Sequence, residues 1–270
     1  MTIRARAPAT TANLGPGFDC AAVALDLWNE VEVTEGQGSP DLSHLGVRAF
    51  AQLAPVEGKR FHWIDRIPRG RGLGSSAAVI ALGLVAAVRW LGHTPSAEEL
   101  LAVGAELEGH ADNLAAALVG GVCLTWEGRI ARIATTLPAV PIALVPEGTV
   151  STERSRARLP VSVPHADAAI TVAHAALLGA SVASGSAELF AQALDDRLHE
   201  PYRADDAPLL HAARDGLPAG ALGATLSGSG PGVIVWARLD AAAACVEELA
   251  RSFGRELVVP LAVVSSGAWT

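Results

Sequence analysis

Residues 2–6 alternate apolar and polar positions, with Ile3 and Ala5 set between Thr2, Arg4 and Arg6. This is the two-residue period of a half-buried strand. Residues 22–33 predict a second strand, ending in Val31 and Val33 between Glu30 and Glu32. The segment 9–19 between them is rich in turn formers, and 60–67 predicts a third strand. At Ser75 the pattern changes. Residues 75–91 are apolar with one charge, Arg89, and one internal helix breaker, Gly83, which predicts a long buried helix. Another helix starts at Ser96, where Ser96 and Glu99 have the spacing of a capping box. A polar link at 109–113 leads into 114–119.

Farther on, 122–126 and 129–133 straddle Glu127-Gly128, a hairpin turn, and 139–145 is a further strand. Helices are predicted at 166–178, 186–197 and 207–213, and strands at 222–226 and 233–238 around the glycines of 228–232. Residues 240–253 form a helix with Asp240 as N-cap, and 257–264 a last strand. Strands and helices mix without regular βαβ alternation, so the expected class is α+β. Polarity rises over 146–164, which sets the expected boundary between domains 1–146 and 147–270.

Composition narrows the function. Half of the 270 residues are hydrophobic, enough for real cores. Net charge is −8 without a basic block, which argues against a nucleic-acid partner. Cys20, Cys123 and Cys245 show no metal or disulfide spacing, and the N-terminus has no apolar signal segment, so a reducing cytoplasm is expected. The apolar stretch 77–88 is short of the ~20 residues that span a bilayer, so no membrane partner is expected. The single lysine, Lys59, adjoins Arg60 and is expected to be a solvated surface residue.

The densest chemistry is at 68–77, Pro-Arg-Gly-Arg-Gly-Leu-Gly-Ser-Ser-Ala. Alternating glycines let backbone N–H groups approach a ligand, Ser75 and Ser76 can cap the following helix, and a helix N-terminus suits phosphate. The loop lacks the lysine of a Walker A motif, and Ser75 replaces the third spaced glycine of a dinucleotide fingerprint. Residues 10–19 place Asn13 and Asp19 around a Gly-Pro-Gly turn, where they either hold an ammonium or hydroxyl or satisfy local backbone. Residues 106–113 gather Glu106, Glu108, His110, Asp112 and Asn113. That density suits Mg²⁺ and a hydroxyl, and equally a helix end at Gly109 followed by an N-cap at Asp112. Residues 226–232, Leu-Ser-Gly-Ser-Gly-Pro-Gly, are a strand connection or a second glycine loop closing on the first. Arg154, Arg156, Arg158 and Arg203 are candidate carboxylate or phosphate forks, or surface charge.

In that order, Asn-Leu-Gly-Pro-Gly-Phe-Asp, Gly-Leu-Gly-Ser-Ser-Ala-Ala and Ser-Gly-Ser-Gly-Pro-Gly resemble the galactokinase, homoserine kinase, mevalonate kinase and phosphomevalonate kinase (GHMP) superfamily. The homoserine kinase family is the nearest likeness. Its N-terminal signature resembles residues 8–19, and its Glu-Gly-His-Pro-Asp-Asn motif resembles 108–113 with Ala111 for proline. Its Ser-Thr-x-x-x-Arg-x-x-Leu-Pro segment resembles 151–160, which singles out Arg156, and its His-x-Pro-Tyr-Arg segment resembles 199–203.

The resemblance implies a two-domain kinase with its site in the interdomain cleft, using MgATP to phosphorylate the hydroxyl of L-homoserine. By position it implies that Arg69, Gly70, Arg71, Gly72, Leu73, Gly74, Ser75, Ser76 and Ala77 bind the ATP phosphates. Ser76 and Glu108 would hold Mg²⁺, with Glu106 as rival because Glu108 and His110 are almost adjacent. Asn13, Asp19 and Asp112 would surround the amino and hydroxyl ends, with Asn113 near the reacting hydroxyl. Arg156 and Arg203 would clamp the carboxylate, with Thr152 nearby. Asp112 is either a general base or a binder of the ammonium. The sequence admits a homodimer without specifying one.

Overall fold

The structure, a computed structural model, describes residues 1–269. Strand β1 (Thr2–Asn13) and strand β2 (Gly17–Glu35) form one long antiparallel hairpin. The segment 9–19 is therefore mostly strand, and only its tip turns. Asn13, Leu14 and Gly15 take positive φ there (73°, 47° and 81°). Helix α1 (Leu45–Ala51) leads to β3 (Lys59–Ile64), and helices α2 (Ser75–Leu91), α3 (Ala97–Glu108) and α4 (Asp112–Val119) follow. Next come β4 (Val122–Trp126), β5 (Arg129–Ala134) and β6 (Val140–Leu144). The C-terminal half has α5 (Thr152–Ala157), α6 (His165–Ser184), α7 (Ala187–Ala193), α8 (Glu200–Arg203) and α9 (Pro208–Asp215), then β7 (Ala221–Leu226), β8 (Val233–Ala237), α10 (Ala242–Phe253) and β9 (Val258–Pro260).

Two antiparallel sheets result, as the α+β expectation requires. The first has the order β1-β2-β4-β5, with β3 on the outer half of β2. The second has the order β7-β8-β6-β9. Strand β6 thus pairs with C-terminal strands, and the sheets part between β5 and β6. One apolar cluster joins the halves: Ile80, Leu84 and Leu114 belong to the same core as Phe190, Ile234 and Trp236. A smaller core of Leu210, Leu226, Val235 and Leu249 lies among α9, α10 and the second sheet.

Several local expectations are corrected. Asp240 does not cap α10; Ala241 holds that place without a side-chain bond. The last strand is only β9, with a single further bridge between Leu25 and Val263. Lys59 is buried, its Nζ 5.0 Å from the Trp90 ring centroid and 5.9 Å from that of Phe50. Its apolar stem and ammonium fit the aromatic faces of α1 and α2, which the neighbouring Arg60 did not foretell. Helix α6 has the length and apolar character of a membrane span, although 77–88 had stood out in sequence. In the fold its Thr171, Leu178, Ser181 and Val182 are buried.

Candidate active site

The tip of the β1–β2 hairpin, the loop before α2, the α3–α4 link, α5, α8 and the β7–β8 loop converge on one cleft. Gly74 is the N-cap of helix α2, and neither serine caps it. Its first N–H groups lack partners within the helix, as in any α-helix, and Gly74, Ser75 and Ser76 of that end line the cleft. Ser76 Oγ instead donates to Glu108 Oε2 at 2.5 Å. Gly70, Gly72 and Gly74 all take positive φ. A Cβ on Gly72 would fall 2.2 Å from the Ser227 carbonyl oxygen, and one on Gly74 would fall 1.8 Å from Thr10 Oγ1. Glycine is required at both for strain and for space.

The 226–232 segment is both things expected of it. It joins β7 to β8 and closes on the first glycine loop. Ser227 Oγ donates to the Gly72 carbonyl (2.7 Å) and lies 2.9 Å from Thr11 Oγ1, while Gly228 N–H donates to the Ala12 carbonyl (3.2 Å). Gly228, Ser229 and Gly230 line the cleft. Of the loop 69–77, the side chains of Arg69, Arg71, Leu73 and Ala77 do not. Arg69 pairs with Asp65, Arg71 donates to the Glu147 carbonyl (2.8 Å), and Leu73 and Ala77 are core. Only their backbone belongs to the loop.

Asn13 is spent on structure: Nδ2 donates to the Gly228 carbonyl (2.9 Å) and Oδ1 accepts from Asp19 N–H (3.0 Å). The polar segment expected as a domain boundary contains α5, which Ser151 caps. Ser155 Oγ donates to the Ser229 carbonyl (3.0 Å), and Thr152 Oγ1 lies 3.4 Å from Ser229 Oγ. Thus α5 delivers Thr152 and Arg156 to the cleft. Arg156 grips Asp19 with both terminal nitrogens, at 2.7 and 3.0 Å. Arg154 and Arg158 point instead to Asp206.

Arg203 differs from Arg156. It is 3% exposed, its Nε has no partner, and among the described residues it has no ion pair within 4 Å. Burial pulls its pKa down, but guanidinium stays charged.

The acidic group separates as helix geometry requires. Glu106 and Glu108 point about 200° apart; Glu106 is exposed and Glu108 lines the cleft. Burial pushes the Glu108 carboxyl up, against the Ser76 hydrogen bond. Burial pushes the His110 imidazole down, but the Asp112 carboxylate 3.4 Å away and the charge of Glu108 outweigh that and raise it. Asp112 is not the N-cap of α4, a place that Ala111 holds. It begins the helix, buried, with Oδ1 accepting from Asn113 N–H at 2.7 Å. Asn113 Oδ1 accepts from Thr10 Oγ1 at 2.6 Å.

A second hollow of about 480 Å³ has its own lining and falls within the roughly 300–1,000 Å³ of small-molecule sites. His44, Phe61 and Trp63 line it with Pro40 and Asp41. His44 packs tilted against Trp63, ring centroids 4.4 Å apart, and burial pushes its imidazole down, toward the neutral ring. The sequence reading missed these residues. They come from the segment that ends in the α1 N-cap and from β3, and their only signal was an aromatic cluster ahead of the glycine loop.

A cleft with a phosphate-suited helix end, a buried arginine and carboxylates is thus in place. The GHMP kinases N terminal domain family matches residues 44–121, and the GHMP kinases C terminal family matches 173–256. A homoserine kinase of Gloeobacter violaceus is 40% identical over 274 residues, covering 92% of each chain. One of Streptomyces avermitilis is 40% identical over 261 residues, covering 87% of this chain and 85% of its own. The solved homoserine kinase of Cytophaga hutchinsonii superposes with a TM-score of 0.86 at 25% identity, covering 99% of this chain and 96% of its own. The mevalonate kinase of Methanococcus jannaschii shares the fold, with a TM-score of 0.70 at 14% identity over 98% of each chain. Two domain matches in the expected order and close relatives along nearly the whole length place this chain among the GHMP kinases, in the homoserine kinase family.

Proposed function

We propose that this protein transfers the γ-phosphoryl group of ATP to the side-chain hydroxyl of L-homoserine, giving O-phospho-L-homoserine for threonine biosynthesis in the cytoplasm. The observation that carries the substrate choice is Arg203. A buried guanidinium with an unpartnered donor lines the same cleft as Asp112, Asp19 and the glycine loop. Such a set suits an amino-acid zwitterion held against a phosphate. A panel of alcohols in an ATP-coupled assay tests this. Homoserine should far exceed mevalonate and galactose, and a preference for either of those would overturn the assignment.

The roles follow from chemistry. Backbone N–H groups of the loop and of the α2 N-terminus cradle the phosphates. The oxygens of Ser76 and Glu108 fit Mg²⁺, a hard cation bound by few carboxylates together with phosphates. What it supplies there is neutralisation of phosphate charge. Asp112 binds the ammonium, Arg203 the carboxylate, with Arg156 in the same cleft held on Asp19, and Asn113 orients the hydroxyl for in-line attack. The second hollow takes the nucleobase, because its aromatic lining suits a base and β3, which supplies Phe61 and Trp63, runs directly into the phosphate loop.

Two results check these roles. Arg203→Ala should raise the homoserine KM roughly ten- to a hundredfold and the ATP KM little, since a charge-assisted bond is lost. An unchanged homoserine KM in a folded variant removes Arg203 from the site. Trp63→Leu should raise the ATP KM roughly five- to a hundredfold through lost stacking on the base, with the homoserine KM unmoved. The opposite split would assign the hollow to something else.

A further inference from the structure

The substrate-facing Arg203 is held by a residue that belongs to no binding role assigned above. His199 is 0% exposed. Its Nδ1 lies 3.2 Å from Arg203 Nη1, and its Nε2 lies 2.9 Å from the Gly15 carbonyl oxygen. A guanidinium can only donate, so Nδ1 must accept, and the ring proton must sit on Nε2, donating to Gly15. Both ring nitrogens are thus used, in one tautomer.

The contact joins distant parts of the chain. Gly15 belongs to the hairpin tip that also carries Asn13, Phe18 and Asp19. His199 stacks on Phe18 with ring centroids 5.0 Å apart, and the Arg203 guanidinium carbon sits 5.3 Å from the same ring centroid. A Cβ on Gly15 would fall 2.6 Å from the Leu194 carbonyl oxygen, so the chain just ahead of His199 is pressed onto the tip. Asp196 fixes the backbone there, its Oδ2 accepting from the N–H groups of His199 and Glu200, each at 2.8 Å.

We infer that His199 is a positioning residue for the substrate carboxylate: it orients Arg203 through a neutral acceptor and leaves the guanidinium charge free for the ligand. The contrast is Arg156, whose partner is the Asp19 carboxylate. A carboxylate in the place of His199 would orient Arg203 equally well and cancel its charge. An imidazole fixes direction without that cancellation. The inference rests on Arg203 binding the carboxylate, as proposed above.

The test compares L-homoserine with 2-aminobutane-1,4-diol, which has a hydroxymethyl group in place of the carboxylate. His199→Leu should raise the homoserine KM about tenfold and leave kcat, the ATP KM and the diol KM near those of the parent. His199→Asn, whose amide oxygen can still accept from Arg203, should recover most of the homoserine loss. Equal losses on homoserine and the diol would mean a merely structural role and would overturn the inference. So would an unchanged homoserine KM in His199→Leu alongside a raised one in Arg203→Ala. If Arg203→Ala itself leaves the homoserine KM unchanged, the underlying assignment fails first. A reading independent of folding in the variants comes from ¹⁵N-histidine NMR of the parent protein, with the signal assigned by its loss in His199→Asn. Protonated Nε2 and bare Nδ1 are expected, and protonated Nδ1 would overturn the inference.

Discussion

Glu108→Gln is expected to lower kcat/KM on the order of 100-fold, while Glu106→Gln stays close to the parent. Replacing even an outer partner of a metal ligand typically costs 10–100-fold, so loss of a direct ligand sits at or above that range. The amide is nearly isosteric, and its oxygen can still accept from Ser76 Oγ, so the fold should survive and only the charge is removed. Glu106 faces solvent on the other side of α3. A Mg²⁺ titration of both variants beside the parent separates them. Glu108→Gln should need more Mg²⁺ for half-maximal rate, or fail to saturate. A mild Glu108→Gln with a crippled Glu106→Gln would show that the metal was given to the wrong carboxylate.

The second large effect is expected at Asp112. As a binder of the ammonium, Asp112→Asn should raise the homoserine KM roughly ten- to a hundredfold, with a smaller change in kcat. The structure adds a reason for this choice over a general base. Asp19, the other carboxylate expected near the ammonium, already accepts two hydrogen bonds from Arg156. Asp112 has no guanidinium on it; Asn113 N–H and His110 are its neighbours. It is the more available anion for the substrate's positive end. The desamino analogue 4-hydroxybutyrate has no ammonium, so Asp112→Asn should damage its turnover far less than that of homoserine. A general base typically contributes ~10²–10⁴-fold to the chemical step. An equally large fall in kcat on both compounds would therefore assign Asp112 to proton removal.

Much of this site was legible without coordinates. The capping box of Ser96 and Glu99 is present, each side chain bonded to the other's backbone. The αL C-cap at Gly109 is present too. The opposition of Glu106 and Glu108 follows from helical periodicity alone, and the choice of Arg156 over Arg154 and Arg158 agrees with where the three point. The short helices α1, α5 and α8 were missed, with seven, six and four residues. None is long enough to show a periodic apolar face, and α5 lies in a polar stretch that resembled a linker. Its order comes from Ser229, more than 70 residues away in the chain.

The sequence by itself determined what depends on neighbours within about one helical turn: periods, caps, turns, and which residue types could serve phosphate, metal and carboxylate. Tertiary structure decided which groups are already spent and which remain free for a ligand. The bonds Thr10–Asn113, Arg156–Asp19 and Thr11–Ser227 span 103, 137 and 216 residues. That is why Asn13 holds backbone, Arg156 holds Asp19, and Arg203 keeps its charge beside His199. Local propensity carries no information about such pairs. They are fixed by the order of strands in two sheets and by the shared core that presses the hairpin tip against the loops of the C-terminal half.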